Sequence, residues 1–175
     1  MRIIAGRWRG HALKAPRGGR VRPTTDRIRE AWMAALGPRL GGARVLDLFA
    51  GSGALGLEAL SRGGREVVFV EKAGAAVKLL EANIRHLGAR EECTVIRKDA
   101  LTWARRLEPG AFDVALADPP YDRGFARTLL ELFHQEGFAR ELWVEHRSDE
   151  TMPELEGLRQ RRYGDTTLST LTRIS

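Results

Sequence analysis

Cysteine is nearly absent from this 175-residue chain, and its single copy, Cys93, cannot form an intrachain disulfide. No second cysteine offers a shared ligand set, and His11, His86, His134 and His146 are scattered without metal-ligand spacing, so no metal is expected and Cys93 reads as a buried strand residue. Long apolar runs are missing too. The most apolar stretches, 45–50 and 67–70, fall far short of the roughly 18 residues a membrane-spanning helix needs. The N-terminus carries charge but neither an extended apolar segment nor a small-residue cleavage site, so a cytoplasmic protein is expected. Internal repeats, low-complexity tracts and linker-like segments are also lacking, which leaves one domain-sized core as the expectation, and a monomer.

What is present is a globular composition, 43% apolar and 30% charged, with an uneven charge. Residues 1–30 hold nine bases, eight of them arginine, against two acids, whereas the remaining residues nearly balance at a net −1. A neutral body with one basic N-terminal arm is the electrostatic footprint of a protein that meets a phosphate backbone. Arg7, Arg9 and Arg20 are candidate phosphate ligands, since the guanidinium fork binds phosphate oxygens in pairs. Trp8 and His11 lie among them and could stack on bases, the competing reading being an arm whose Trp8 is pinned to the core.

The arm, taken as residues 1–24, predicts a hairpin of two short strands, 2–4 and 12–14, around a glycine-flanked turn. Thr25 or Asp26 then caps a helix with Ile28, Ala31, Trp32, Ala35 and Leu36 on one face, ended by Gly37 and Pro38. From residue 44 short β-rich runs alternate with helical ones: strands at 45–49, 66–70, 93–97, 113–117 and 141–145, helices at 54–61, 74–87, 100–107 and 123–133. That alternation predicts an α/β fold, a doubly wound and mostly parallel sheet, over residues 25–175. The last two strands, 158–163 and 167–173, form an antiparallel pair and bring the sheet to about seven. Glu145, His146 and Arg147 are expected in a solvated loop after the fifth strand.

The first parallel strand runs into Gly51-Ser52-Gly53-Ala54-Leu55-Gly56 and then directly into a helix, the setting in which G-x-G-x-x-G brings backbone close to a ligand. The pattern alone suits a dinucleotide or S-adenosylmethionine, or simply a structural turn. Asp47 discriminates, because a carboxylate at the strand end would repel a pyrophosphate but attract a sulfonium and an ammonium. Glu71 ends the second strand, where a ribose diol is gripped; Asp99, with Ala100 beside it, follows the third, where a carboxylate can accept from an adenine amine or cap a helix. Three acids at the tips of consecutive strands make a candidate cofactor site.

The fourth strand ends in Asp118-Pro119-Pro120-Tyr121. Two prolines fix φ and supply no N–H, which makes a rigid acceptor platform. An exocyclic nucleobase amine is a poor nucleophile because its lone pair is delocalised. Hydrogen bonds from its two N–H groups to the Asp118 carboxylate and the Pro119 carbonyl favour a pyramidal nitrogen aimed at a methyl donor, and Tyr121 can stack on the extruded base.

In this tetrapeptide the chain resembles the amino-group methyltransferases that use S-adenosylmethionine. At its two ends it resembles the bacterial RsmD family of 16S ribosomal RNA guanine-N2 methyltransferases: in residues 1–10, in Arg22-Pro23-Thr24-Thr25-Asp26-Arg27-Ile28-Arg29-Glu30, and in Tyr163-Gly164-Asp165-Thr166-Thr167-Leu168-Ser169. The likeness spans nearly the whole chain, and Trp32 stands where relatives more often carry Phe. The resemblance implies methylation of a guanosine N2 in the RNA of the small ribosomal subunit, with Arg22, Pro23 and Thr24 beside the active site and Arg22 and Thr24 contacting RNA. An adenine or cytosine amine stays open on chemistry alone. A nicotinamide oxidoreductase leaves Asp47 and the Asp-Pro-Pro-Tyr turn unexplained, and a non-catalytic RNA-binding module predicts no cofactor affinity.

Overall fold

The structure is a computed structural model that describes residues 1–17 and 23–174, without the side chains of 23–25. Helix α1 (Pro23–Leu36) leads through a 3-10 turn (Gly37–Leu40) into β1 (Arg44–Leu48), α2 (Ala54–Ser61), β2 (Glu66–Val70) and α3 (Gly74–His86). There follow β3 (Cys93–Ile96), α4 (Ala100–Ala104), β4 (Phe112–Ala117), α5 (Phe125–Glu136), β5 (Ala139–Arg147), β6 (Arg159–Tyr163) and β7 (Thr166–Thr172). One seven-stranded sheet runs β3-β2-β1-β4-β5-β7-β6, parallel from β3 to β5, with β7 antiparallel to both neighbours. The predicted doubly wound α/β fold is the one observed.

Alternation along each strand builds two apolar layers. Val45, Val67, Phe69, Leu116 and Trp143 face α1, α2, α3 and the N-terminal arm; Leu46, Leu48, Val68, Ala115 and Leu142 face α4 and α5. Strand order then places the site. The chain winds from β1 outward through β2 to β3, then returns to place β4 on the other flank of β1. The C-terminal ends of β1 and β4 thus meet where the winding reverses, the crevice in which open α/β sheets bind ligands.

Three local expectations change. The arm forms a single bridge, Arg2 to Ala12, rather than two strands. Backbone bonds such as Ile3 N–H to the His11 carbonyl close the arm on itself, and others tie it to α2: the Glu58 carboxylate accepts from the Ile4 and Ala5 amides, and Ser61 Oγ accepts from the Trp8 amide and donates to the Ala5 carbonyl. Ile3, Trp8 and Leu13 belong to the same core as the sheet, so the arm is a docked part of the fold. Helix α1 starts at Pro23, ahead of the expected cap, which suits proline's fixed φ and missing N–H in a first turn. And β5 continues through Glu145, His146 and Arg147, because it is paired on both edges and their backbone groups bond to β7. Glu145 and His146 are buried rather than solvated.

Candidate active site

Asp47 is the fourth residue of β1, buried on the α1 side of the sheet, and its Oδ2 accepts the Gly56 amide at 2.9 Å. Burial pushes its carboxyl up to about 8, with nearby Glu71 adding to the rise and the Gly56 bond opposing it. Gly56 has to be glycine: a Cβ there would lie 2.4 Å from the Phe69 ring and 3.0 Å from Asp47 Oδ2. Gly53, at φ +86°, caps α2, and a Cβ there would meet Leu80 at 2.3 Å. The third and second glycines therefore serve the packing of helix on sheet.

Glu71 secures the loop from the neighbouring strand. Its Oε1 accepts the Gly51 amide at 3.0 Å and its Oε2 the Ala73 amide at 2.8 Å. Asp99 caps α4, accepting from the Thr102 amide at 2.9 Å and hydroxyl at 3.0 Å, and those bonds hold its carboxyl below the ordinary value.

Asp118 is the first residue beyond β4. Since Ala117 pairs with Val144, one further step sets Asp118 level with Glu145 on β5, both on the α1 side. Glu145 Oε1 accepts the Tyr121 hydroxyl at 2.8 Å, which fixes the ring at the end of the Pro-Pro turn. Water reaches Asp118 through the mouth of the crevice, while protein crowds it on its other sides. That crowding, with Glu145 and then Asp47 nearby, raises its carboxyl well above the ordinary carboxylate range.

These side chains line one cavity of about 660 Å³, inside the roughly 300–1,000 Å³ typical of small-molecule sites. Asp47, Gly51, Glu71, Asp99, Ala100 and Asp118 through Tyr121 all contribute; Gly53 is not part of the lining and packs against Leu80, Leu57 and Phe69 instead. The donor set fits S-adenosylmethionine: a buried carboxyl, Asp47, suited to a cationic partner, an acid on the second strand for a diol, and a third acid flanked by the small Ala100. The sequence reading missed Arg29, Trp32, Lys72, Arg123 and Glu145, which also line the cavity. Only Glu145 had a signal, its position as the last residue of the predicted fifth strand, level with Asp118 just past the fourth.

Of the arm residues expected to contact RNA, the described ones, Arg7, Trp8 and Arg9, lie outside the cavity lining. Trp8 is 9% exposed within the core, with the Arg7 guanidinium 3.8 Å over its ring, so it anchors the arm instead of offering a stacking face. Arg7 is further held by both oxygens of Glu92, at 3.0 and 2.7 Å. Arg9 is exposed, without an ion pair among the described residues. Arg20, Arg22 and the Thr24 side chain lie outside the described residues. Met1 of the arm does line the cavity.

A family model described as "Conserved hypothetical protein 95" matches residues 1–172. The chain belongs to that family. It is 38% identical over 179 residues to the putative rRNA methyltransferase YlbH of Bacillus subtilis, covering 95% of each chain. It is 36% identical over 157 residues to ribosomal RNA small subunit methyltransferase D of Escherichia coli, covering 87% of this chain and 78% of the other. Among solved structures, the putative methyltransferase yhhF from Escherichia coli superposes with a TM-score of 0.84 at 33% identity, over 99% of this chain and 97% of that one. The likeness to the RsmD family seen at the chain ends holds along almost the full length, and the protein is a methyltransferase of class I fold. No helix among the described residues is long and apolar enough to cross a membrane, and among them no cluster of His, Cys, Asp and Glu could hold a metal ion.

Proposed function

We propose that this family member transfers a methyl group from S-adenosylmethionine to the exocyclic N2 of one guanosine in 16S ribosomal RNA of the small subunit, in the cytoplasm. The observation that carries the reading is the meeting of Asp118-Pro119-Pro120-Tyr121 with Asp47 and Glu71 in one cavity at the β1–β4 switch point. When bound, the cofactor supplies an electrophilic methyl on a sulfonium leaving group. The chain supplies orientation: Asp118 and the Pro119 carbonyl accept the two N–H groups of the amine, so that its lone pair points along the line of transfer. As the N–C bond forms and the C–S bond breaks, the amine loses one proton, and Asp118, made more basic by its surroundings, is placed to take it.

Guanine is favoured by Glu145. Two carboxyl groups on neighbouring strands, Asp118 and Glu145, face an edge that should present adjacent donors, and guanine's N1–H and N2–H provide them. Adenine and cytosine place a ring acceptor beside the amine. Lys72 and Arg123 at the cavity, with Arg9 on the arm, suit the RNA backbone.

The test is methylation of small subunits isolated from cells lacking this protein, followed by nucleoside mass spectrometry. N2-methylguanosine should appear, and Asp118→Ala should reduce its formation by roughly two orders of magnitude or more while S-adenosylhomocysteine binding stays within a few-fold. Label on an adenine or cytosine amine would overturn the base assignment, and label appearing equally with Asp118→Ala would remove Asp118 from the chemistry.

A further inference from the structure

One wall of the cavity holds buried donors with nothing to bond. Arg29 is 4% exposed and Trp32 has no exposed surface, and both line the cavity. Yet Nε and Nη1 of Arg29 and Nε1 of Trp32 make no hydrogen bond. The remaining Arg29 nitrogen, Nη2, is committed: it donates to the Arg2 carbonyl at 2.7 Å and to Asp26 at 3.2 Å. Glu58 approaches Nε only to 4.0 Å, and its oxygens already accept from the Ile4 and Ala5 amides and Arg62 Nε. Among the described residues the other buried side-chain donor without a partner, Arg62 Nη2, does not line the cavity. Dry, unpaired donors are unfavourable and call for a partner.

Residues 29 and 32 sit one turn apart on the same face of α1. Elsewhere the cavity is rich in carboxyls, with Asp47, Asp118 and Glu145 on the sheet side. Unpaired donors on one wall and acids on another match a group that carries both an acceptor anion and a cation within a few bonds. The amino-acid end of S-adenosylmethionine is such a zwitterion.

We propose that Arg29 and Trp32 form the subsite for the cofactor's α-carboxylate, with the Asp47 carboxyl left to face its ammonium. The proposal rests on the methyltransferase reading of the cavity. The planar guanidinium and the indole N–H offer up to three unpaired donors to a carboxylate, whose charge the buried arginine balances.

Calorimetry on the whole protein tests this with two ligands, S-adenosylhomocysteine and 5′-deoxy-5′-methylthioadenosine, which keeps the adenosine and thioether but lacks the amino-acid end. Wild type should bind the first more tightly. Trp32→Phe removes one N–H and keeps the ring's bulk; it should weaken S-adenosylhomocysteine by about tenfold and leave methylthioadenosine unchanged. Arg29→Met should act in the same direction more strongly, with a thermal melt confirming that it folds; Trp32→Phe carries the test by itself if it does not. Equal losses for both ligands, or no loss for either, overturn the subsite. A wild type that binds neither ligand overturns the cofactor reading itself, a different failure.

Discussion

At Asp47 the surrounding protein chooses which form of the carboxyl is present. With its folded value raised to about 8 and its unfolded value near 3.8, the folded chain keeps a proton that the unfolded chain has lost throughout that interval. Stability from this group therefore falls as pH rises from about 4 to about 8, by as much as about 1.4 kcal/mol per pH unit. Asp47→Asn keeps an acceptor for the Gly56 amide and removes the titration. Denaturant unfolding should show the variant gaining on wild type across that interval and holding its gain above it; a difference independent of pH would contradict the burial argument. The same proton must leave when a cation binds beside Asp47, so calorimetry in buffers of different ionisation enthalpy should register proton release with S-adenosylmethionine near neutral pH, and none in Asp47→Asn.

Among the elements, α2 does the most to assemble the site. Its N-terminal turn delivers the Gly56 amide to Asp47, and its C-terminal half, through Glu58 and Ser61, holds the arm. Helix propensity alone says Gly56→Ala should stabilise α2 by about 1 kcal/mol. The tertiary contacts say the opposite, because the new methyl group would sit 2.4 Å from Phe69 and 2.9 Å from Val67. We expect a net loss of about 1–3 kcal/mol, together with weakened cofactor binding as Asp47 is displaced. Gly41→Ala, whose Cβ would meet only the Pro38 carbonyl at 3.8 Å, should be tolerated. Chemical denaturation of the two variants side by side decides it; equal effects would mean that the α2 contact is not what requires glycine.

For the molecule as a whole, residues 1–17 of the basic arm are docked onto one core layer through Ile3, Trp8 and Leu13. Arg7 and Trp8 are consumed in holding it there, by Glu92 and by the core, which leaves exposed, among the described residues, Arg2, tied to the Gly10 carbonyl, and beyond it the three cations Arg9, Lys14 and Arg17. Replacing those three with alanine should weaken binding to small-subunit RNA and reduce the slope of log affinity against log salt by up to about 0.9 per contact. Arg7→Ala should act mainly on thermal stability. Fluorescence anisotropy across a salt series measures the slopes, and an unchanged slope in the triple variant would take the arm off the RNA.

Much of this protein was legible along the chain. The order of strands and helices follows from the alternation of apolar runs, and Asp47, Glu71, Asp99 and Asp118 stand out because strand ends, glycine turns and paired prolines are local signals with local causes. The bounds of β5 were not legible, since Glu145 and His146 break the apolar pattern and are buried only through β4 and β7. Trp8 was ambiguous for a similar reason: an arginine-flanked tryptophan reads as a stacking platform until Ser61, 53 residues away, is found to dock its backbone. Sequence by itself thus determined the fold class and the chemical types at the site. Tertiary structure alone decided which of those groups share a cavity, which are spent on packing, and that Arg29 and Trp32, with buried donors unpaired, are among the residues lining it. Burial and partnership are set by contacts between residues far apart in the chain, and no local pattern carries them.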